Sequence, residues 1–198
     1  RSIMTSILKA DTIQDTDGNN IINENSNTIT IGASGDTTNI IGTLQNNGAA
    51  VGQTMAPAFF AYDESTQSLT DDTLTKLDLA TEVFDTDGNF ASDRFTPTTA
   101  GKYFLFAKTQ GGSSSYENNR NTDIFIYKNG SALTYSKATF TPGGNTSGAG
   151  TTLTPFTSAI VDMNGSSDYV EVYVKVNTLS GNGSCENSVF GGYRVTGA

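Results

Sequence analysis

The spacing of apolar positions divides the chain near residue 56. Before that point apolar residues come singly or in pairs: Ile7-Leu8, Ile13, Ile21-Ile22, Ile29 with Ile31, Ile40-Ile41 and Leu44. Turn-forming stretches separate them, among them Asp17-Gly18-Asn19, residues 32–36 and Asn46-Asn47-Gly48. Each apolar piece is long enough for a short strand, and none has an aromatic anchor. A segment of this size buries too little surface to fold alone. Two readings follow: an extended β-rich stalk in which copies of the chain bring their isoleucines to a shared axis, or a flexible tail. Residues 45–54 are small, polar and rich in Gly and Asn, as in a linker. The expected division is therefore residues 1–55, a stalk or attachment segment with its linker, and residues 56–198, a compact head.

In the head, residues 58–62 (AFFAY) predict a first strand, and residues 76–84 alternate cleanly, with Leu77, Leu79, Thr81 and Val83 facing one way and Lys76, Asp78 and Glu82 the other. Asp87-Gly88 predicts a turn. Residues 102–107 place Tyr103, Leu105 and Ala107 on one face and Phe104 and Phe106 on the other, so both faces call for burial. Residues 123–127, with Phe125 and Tyr127, repeat that pattern. Asn129-Gly130 is a hairpin turn leading into a strand over 132–140, and Asn164-Gly165 separates strands over 157–163 and 169–176. Residues 189–195 close the chain. Long Gly/Ser/Asn-rich loops are expected at 110–121, 141–152 and 177–187. The outer face of a two-layer sandwich is ordinarily wet, so strands that are apolar on both faces predict a further partner, most simply another subunit. Tyr103, Phe104, Phe106, Phe125 and Tyr127 are the residues expected to build the core and that interface.

Composition narrows the function. The chain has 198 residues, 35% hydrophobic and only 16% charged, which fits an all-β domain and not a disordered chain. A net charge of −9 with 11 scattered Lys and Arg argues against nucleic acid. The chain has no His, which removes the usual general base and the commonest transition-metal ligand. The single Cys185 forms no intrachain disulfide and has no base to activate it. No apolar run approaches membrane-spanning length, and the first residues lack a signal peptide's apolar core. Met4 is a candidate start, with residues 1–3 upstream of it. These features predict a protein that is not an enzyme.

Two resemblances sharpen the picture. Residues 6–48, SILKADTIQDTDGNNIINENSNTITIGASGDTTNIIGTLQNNG, resemble the N-terminal part of tail-fibre-like virion proteins of marine bacteriophages. The head resembles the globular-head family of complement component 1q, whose jelly roll is shared with tumour necrosis factor. That likeness rests on Phe95-x5-Gly101-x-Tyr103, on Phe84 and Phe90 upstream, and on Phe190-Gly191-Gly192-Tyr193 at the end. PAFFAY, IFIYKNG and MNGSSDYVEVYV follow in the family's order. Leu105 departs from the family's usual Phe, and the interval from Phe84 to Phe95 is shorter than usual. The resemblance implies an antiparallel jelly-roll β-sandwich, a tight homotrimer, and action by binding. Together the two imply a bacteriophage virion protein, assembled in the host cytoplasm, whose N-terminal segment meets other virion proteins. Its head would contact a glycan or protein of the host surface, as in a tail fibre. The alternatives are a capsid decoration protein or head fibre, and a non-viral trimeric recognition protein.

Candidate sites are few. Asp15-Thr-Asp-Gly-Asn19 recurs as Asp85-Thr-Asp-Gly-Asn89, but Ile13 and Val83 stand where a calcium loop needs its first acid, and Arg94 stands at the second copy's last position. Both read as β-turns. Calcium near the axis is an expectation from related trimers, with no residue pattern assigned to it; no other cofactor is expected. Asn129, Asn145, Asn164 and Asn182 match the glycosylation sequon by chance in so Asn- and Ser-rich a chain. Tyr116 and Arg120 are the large side chains of the first long loop and the candidate receptor contacts.

Overall fold

The structure is a computed structural model that describes residues 55–113, 119–142 and 152–195 and, before them, residues 12–14, 16, 20–25, 28–31, 35, 37–41, 44–46 and 49–50. The chain separates into two compact units, Arg1–Gly52 and Gln53–Ala198. In the first, β1 (Thr12–Gln14), β2 (Asn20–Asn25) and β3 (Thr28–Ile31) form an antiparallel meander, and β4 (Gln45–Asn46) pairs with β5 (Ala49–Ala50). No aromatic residue is available to anchor this unit.

The second unit is a two-sheet sandwich. Its strands are β6 (Ala58–Asp63), β7 (Gln67–Leu69), β8 (Thr75–Lys76), β9 (Thr81–Asp85), β10 (Phe90–Ala91), β11 (Arg94–Phe95) and β12 (Gly101–Ser113). They continue with β13 (Asn119–Lys128), β14 (Ser131–Ala132), β15 (Ala138–Phe140), β16 (Phe156–Met163), β17 (Val170–Thr178) and β18 (Gly183–Arg194). The first sheet runs β16-β12-β18-β6-β9, with β7 on β18; the second runs β10-β11-β17-β13-β14, with β15 on β13 and β8 on β17. Strands β12, β13, β16, β17 and β18 alternate between the sheets, so neighbours within a sheet are distant in sequence. That alternation is the jelly-roll arrangement.

The core lies between the sheets and is aromatic at one end. Phe59 stacks on Phe95 at 4.2 Å and meets Phe190 edge-on at 4.9 Å, while Tyr103 lies edge-on to Phe95 at 5.6 Å. The Tyr103 hydroxyl donates to the Thr99 carbonyl at 2.7 Å, which satisfies the one polar atom that its burial would strand. The sequence pattern of Phe95, Gly101, Tyr103 and Phe190 is thus a core pattern. Phe84, grouped with it by order, is 47% exposed.

Three expectations need correction. The alternating stretch 76–84 is not one strand: Lys76 pairs with β17 in the second sheet, whereas residues 81–85 pair with β6 in the first. Leu77 and Leu79 are buried on the way across, and the Leu79 amide is satisfied by the Asp93 carboxylate at 2.9 Å. Val83, beyond the crossing, is 55% exposed. The strand expected over 132–140 breaks at a 3-10 turn, Thr134–Ser136, where the Ser136 hydroxyl bonds the Ile126 backbone. The loops expected at 110–121 and 177–187 are largely strand, since β12 continues to Ser113, β13 starts at Asn119, and β18 starts at Gly183. Their loop-like composition has a packing cause. A Cβ on Gly111 would collide with the Thr122 side chain of the facing sheet, and one on Gly183 would sit 2.8 Å from Val176 Cγ1. The sheets approach closely here, and only small residues fit. Residues 114–118 and 143–151, within the expected loops, lie outside the described residues.

Two tight turns behave as their chemistry dictates. Asn129 and Gly130 both have positive φ, 51° and 75°, in the β13–β14 hairpin. Ser92 and Asp93, at 53° and 57°, close β10–β11 in the same manner without a glycine.

Candidate interaction surface

The outer face of the first sheet is built by cross-strand register. Ile160, Phe104, Tyr193 and Ala58 stand opposite one another on four adjacent strands. The next row is Ser158, Phe106, Gly191, Phe60 and Phe84. Ring contacts run through the array: Phe104 to Tyr193 at 5.5 Å, Phe104 to Phe106 at 6.3 Å and Phe106 to Phe60 at 6.2 Å. Gly191 makes the last contact feasible, because a Cβ there would lie 2.7 Å from Phe106 Cζ and 2.9 Å from Phe60 Cδ2. Ile160 and Phe156 on the outermost strand are each 57% exposed. A groove of about 280 Å³ opens between Met55, Phe60, Phe84, Phe106 and Tyr193. Charged side chains flank this array instead of interrupting it, as in the Lys102–Asp162 pair at 2.9 Å.

The outer face of the second sheet has aromatic residues too, but cations of the chain lie over two of them, Phe125 and Tyr169. Tyr127 packs on Tyr173 at 4.2 Å, and Phe125 lies under the Lys137 ammonium, which is 5.4 Å from the ring centre and 3.1 Å from the Asp123 carboxylate. Glu171, with a side chain only 4% exposed, accepts from Arg94 at 2.9 Å and Lys76 at 3.4 Å. The Arg94 guanidinium also lies 3.9 Å over the Tyr169 ring. Burial, and then the neighbouring Glu171 charge, push the Tyr173 phenol above its ordinary range. At the edge, the hydrogen bond from Lys175 holds the Asp72 carboxyl below the usual carboxylate range.

The five residues expected to build core and interface therefore do not share one surface. Tyr103 fills the core, Phe104 and Phe106 line the first outer face, and Phe125 and Tyr127 lie on the opposite one. Arg120 is exposed at the start of β13, whereas Tyr116 lies outside the described residues. Phe60, Tyr62 and Tyr193 are the surface residues that pattern reading missed. Their signal was present in AFFAY and FGGY, where aromatic residues fall on both parities of a strand.

The remaining motifs are structural. In the second DTDGN copy, the Asp85 carboxylate accepts the amides of Asp87 at 3.2 Å and Phe90 at 2.6 Å, and Gly88 has φ +66°, which makes the copy a turn. The first copy falls mostly outside the described residues. Among the described residues, no group of three or more His, Cys, Asp or Glu is placed to hold a metal ion. Asn164 accepts the amides of Ser166, Ser167 and Asp168, and Asn129 bridges Asp168 and Tyr169, so both sequon amides already serve turns. Cys185 is buried, and that burial pushes its thiol up to about 11, away from nucleophilic use.

No protein-family model matches the chain, and no curated protein sequence does. Among solved structures, the chain is similar to the globular domain of zebrafish complement 1qA protein, at 13% identity over 70% of this chain and 96% of that one, with a TM-score of 0.47. It is similar to murine APRIL at 9% identity over 70% and 98%, with a TM-score of 0.48. A third neighbour is Eiger TNF from S. frugiperda, at 12% identity over 71% and 93% and the same TM-score of 0.48. The structural neighbours thus include globular domains of the complement 1q and tumour necrosis factor kinds.

Proposed function

We propose that the protein is a homotrimeric binding module of a bacteriophage virion, with residues 1–55 attaching to other virion proteins and the head contacting the host cell surface. One observation carries the trimer: the continuous aromatic face of the first sheet. Water exclusion from each such ring is worth ~1.5–3 kcal/mol, so an array of this kind favours association. The face bears a groove, and its edge strand β16 carries the exposed Phe156 and Ile160 at the border. A face-to-edge contact repeated about a three-fold axis buries both surfaces with one kind of interface, which closes as a ring. Phe104 and Phe106 belong to that contact. Tyr103 supports it from the core, and Phe125 and Tyr127 stay on the second sheet's outer face.

The virion assignment rests solely on the resemblance, read from the sequence, of residues 6–48 to tail-fibre-like virion proteins. A recognition role is supported by an acidic, His-free chain whose only thiol is buried. Purified full-length protein added to the host should bind cells and block infection in proportion to its concentration. Infection unaffected at saturating protein, with particle imaging that places the protein on the capsid shell, would replace host recognition with shell decoration.

A further inference from the structure

The meander of the N-terminal unit carries an apolar row that is exposed among the described residues. Ile13 stands opposite Ile22, and Ile22 opposite Ile31, so one isoleucine from each of β1, β2 and β3 falls on a single line across the sheet. The line follows from the sequence spacing, because Ile13, Ile22, Ile31 and Ile40 recur every nine residues. In an antiparallel meander that interval returns each isoleucine to the same register and face. Ile31 at the end of the row is 55% exposed, and Ile22 is 39% exposed although it has an isoleucine on either side.

We propose that this isoleucine row is a self-association surface, and that the rows of three copies pack around a common axis to form the core of a stalk. A three-stranded sheet is a single layer and buries little apolar surface by itself. Other copies of the chain are the occupant for two reasons. The row is one residue type at one spacing along the hydrogen-bonding direction, ~4.8 Å per strand, so identical rows interdigitate with no complementary partner. Each row is also joined covalently to a head that we assign to a trimer, which raises the local concentration of the rows to about millimolar. The inference rests on that trimer assignment.

The test uses the full chain, whose native thiol, Cys185, is buried. Ile22→Cys places a thiol on the row, and Thr12→Cys places one on the opposite face, beside Ile13 in β1. Each variant is treated with a short bis-maleimide and run on a denaturing gel, with sedimentation checked in parallel. The expected result is a trimer in both cases, with a dimer-mass band at least fivefold stronger for Ile22→Cys. A trimer in which the two variants cross-link equally overturns the stalk and leaves the head trimer standing. A full chain that sediments as a monomer overturns both.

Discussion

Both outer faces of the sandwich carry aromatic rings, and they treat them in opposite ways. On the second sheet, the chain's own Lys137 lies over Phe125 and Arg94 over Tyr169, each cation paired with a carboxylate, while Tyr127 and Tyr173 pack on each other. On the first sheet, ring contacts run from Phe60 through Phe106 and Phe104 to Tyr193, with Phe84 opposite Phe60, and among the described residues no cation lies over these rings. An apolar outer face is thus not by itself an interface. What distinguishes one is whether the same chain supplies long polar side chains whose stems lie on the rings.

The sharpest way to break this comparison begins with neighbouring residues of β12 that face opposite ways. Tyr103→Asp places a carboxylate in the aromatic core, a cost of more than about 4 kcal/mol, and should leave no cooperative unfolding transition in far-UV circular dichroism. A folded Tyr103→Asp head would put that residue on the wrong face. Next in size is Glu171→Ala on the second sheet. It leaves Arg94 and Lys76 without their shared acceptor, and because those cations are partly exposed the loss should be about 2 kcal/mol in chemical denaturation. Its oligomeric state should not change, since that face is assigned to the chain's own packing.

Gly191→Ala acts on the first face alone. The added methyl forces Phe106 and Phe60 apart, and an overpacking cost of about 1.4 kcal/mol would weaken association roughly tenfold, read from the concentration dependence of sedimentation. Unchanged association would mean that the ring array is not at the contact. The smallest effect is electrostatic. The hydrogen bonds from Lys128, and then Asn129, hold the Asp168 carboxyl below its ordinary range. A lowered pKa stabilises the fold above the unfolded carboxylate's ~3.9, and that contribution disappears as pH falls through the folded value. The melting temperatures of wild type and Asp168→Asn should therefore differ near pH ~6 and converge as the pH falls below the ordinary carboxylate range. A constant difference across that range would remove the charge from the explanation.

Much of this was legible in the residues. Asn164-Gly165 announced the turn between β16 and β17, Asn129-Gly130 announced its hairpin, and Phe95, Gly101 and Tyr103 carried the resemblance to a jelly-roll head. The strand ends were hidden because Gly111 and Gly183 are demanded by close approach of the two sheets, and glycine reads locally as loop. Residues 76–84 were misread because alternation records burial on one side and says nothing of which sheet a strand joins. The site was half legible for a related reason. Phe104 and Phe125 sit in equally apolar strands, and only the tertiary placement of Lys137 over Phe125 separates them.

The central claim is that the aromatic face of the first sheet joins copies of the chain, and Phe104→Asp tests it most directly. The variant places a charge in the middle of that face while leaving the core untouched. Sedimentation equilibrium at micromolar concentration should give a trimer for the wild type and a monomer for Phe104→Asp, with the same circular dichroism spectrum and cooperative melting for both. A monomeric wild type, or a folded Phe104→Asp that remains a trimer, would contradict the account.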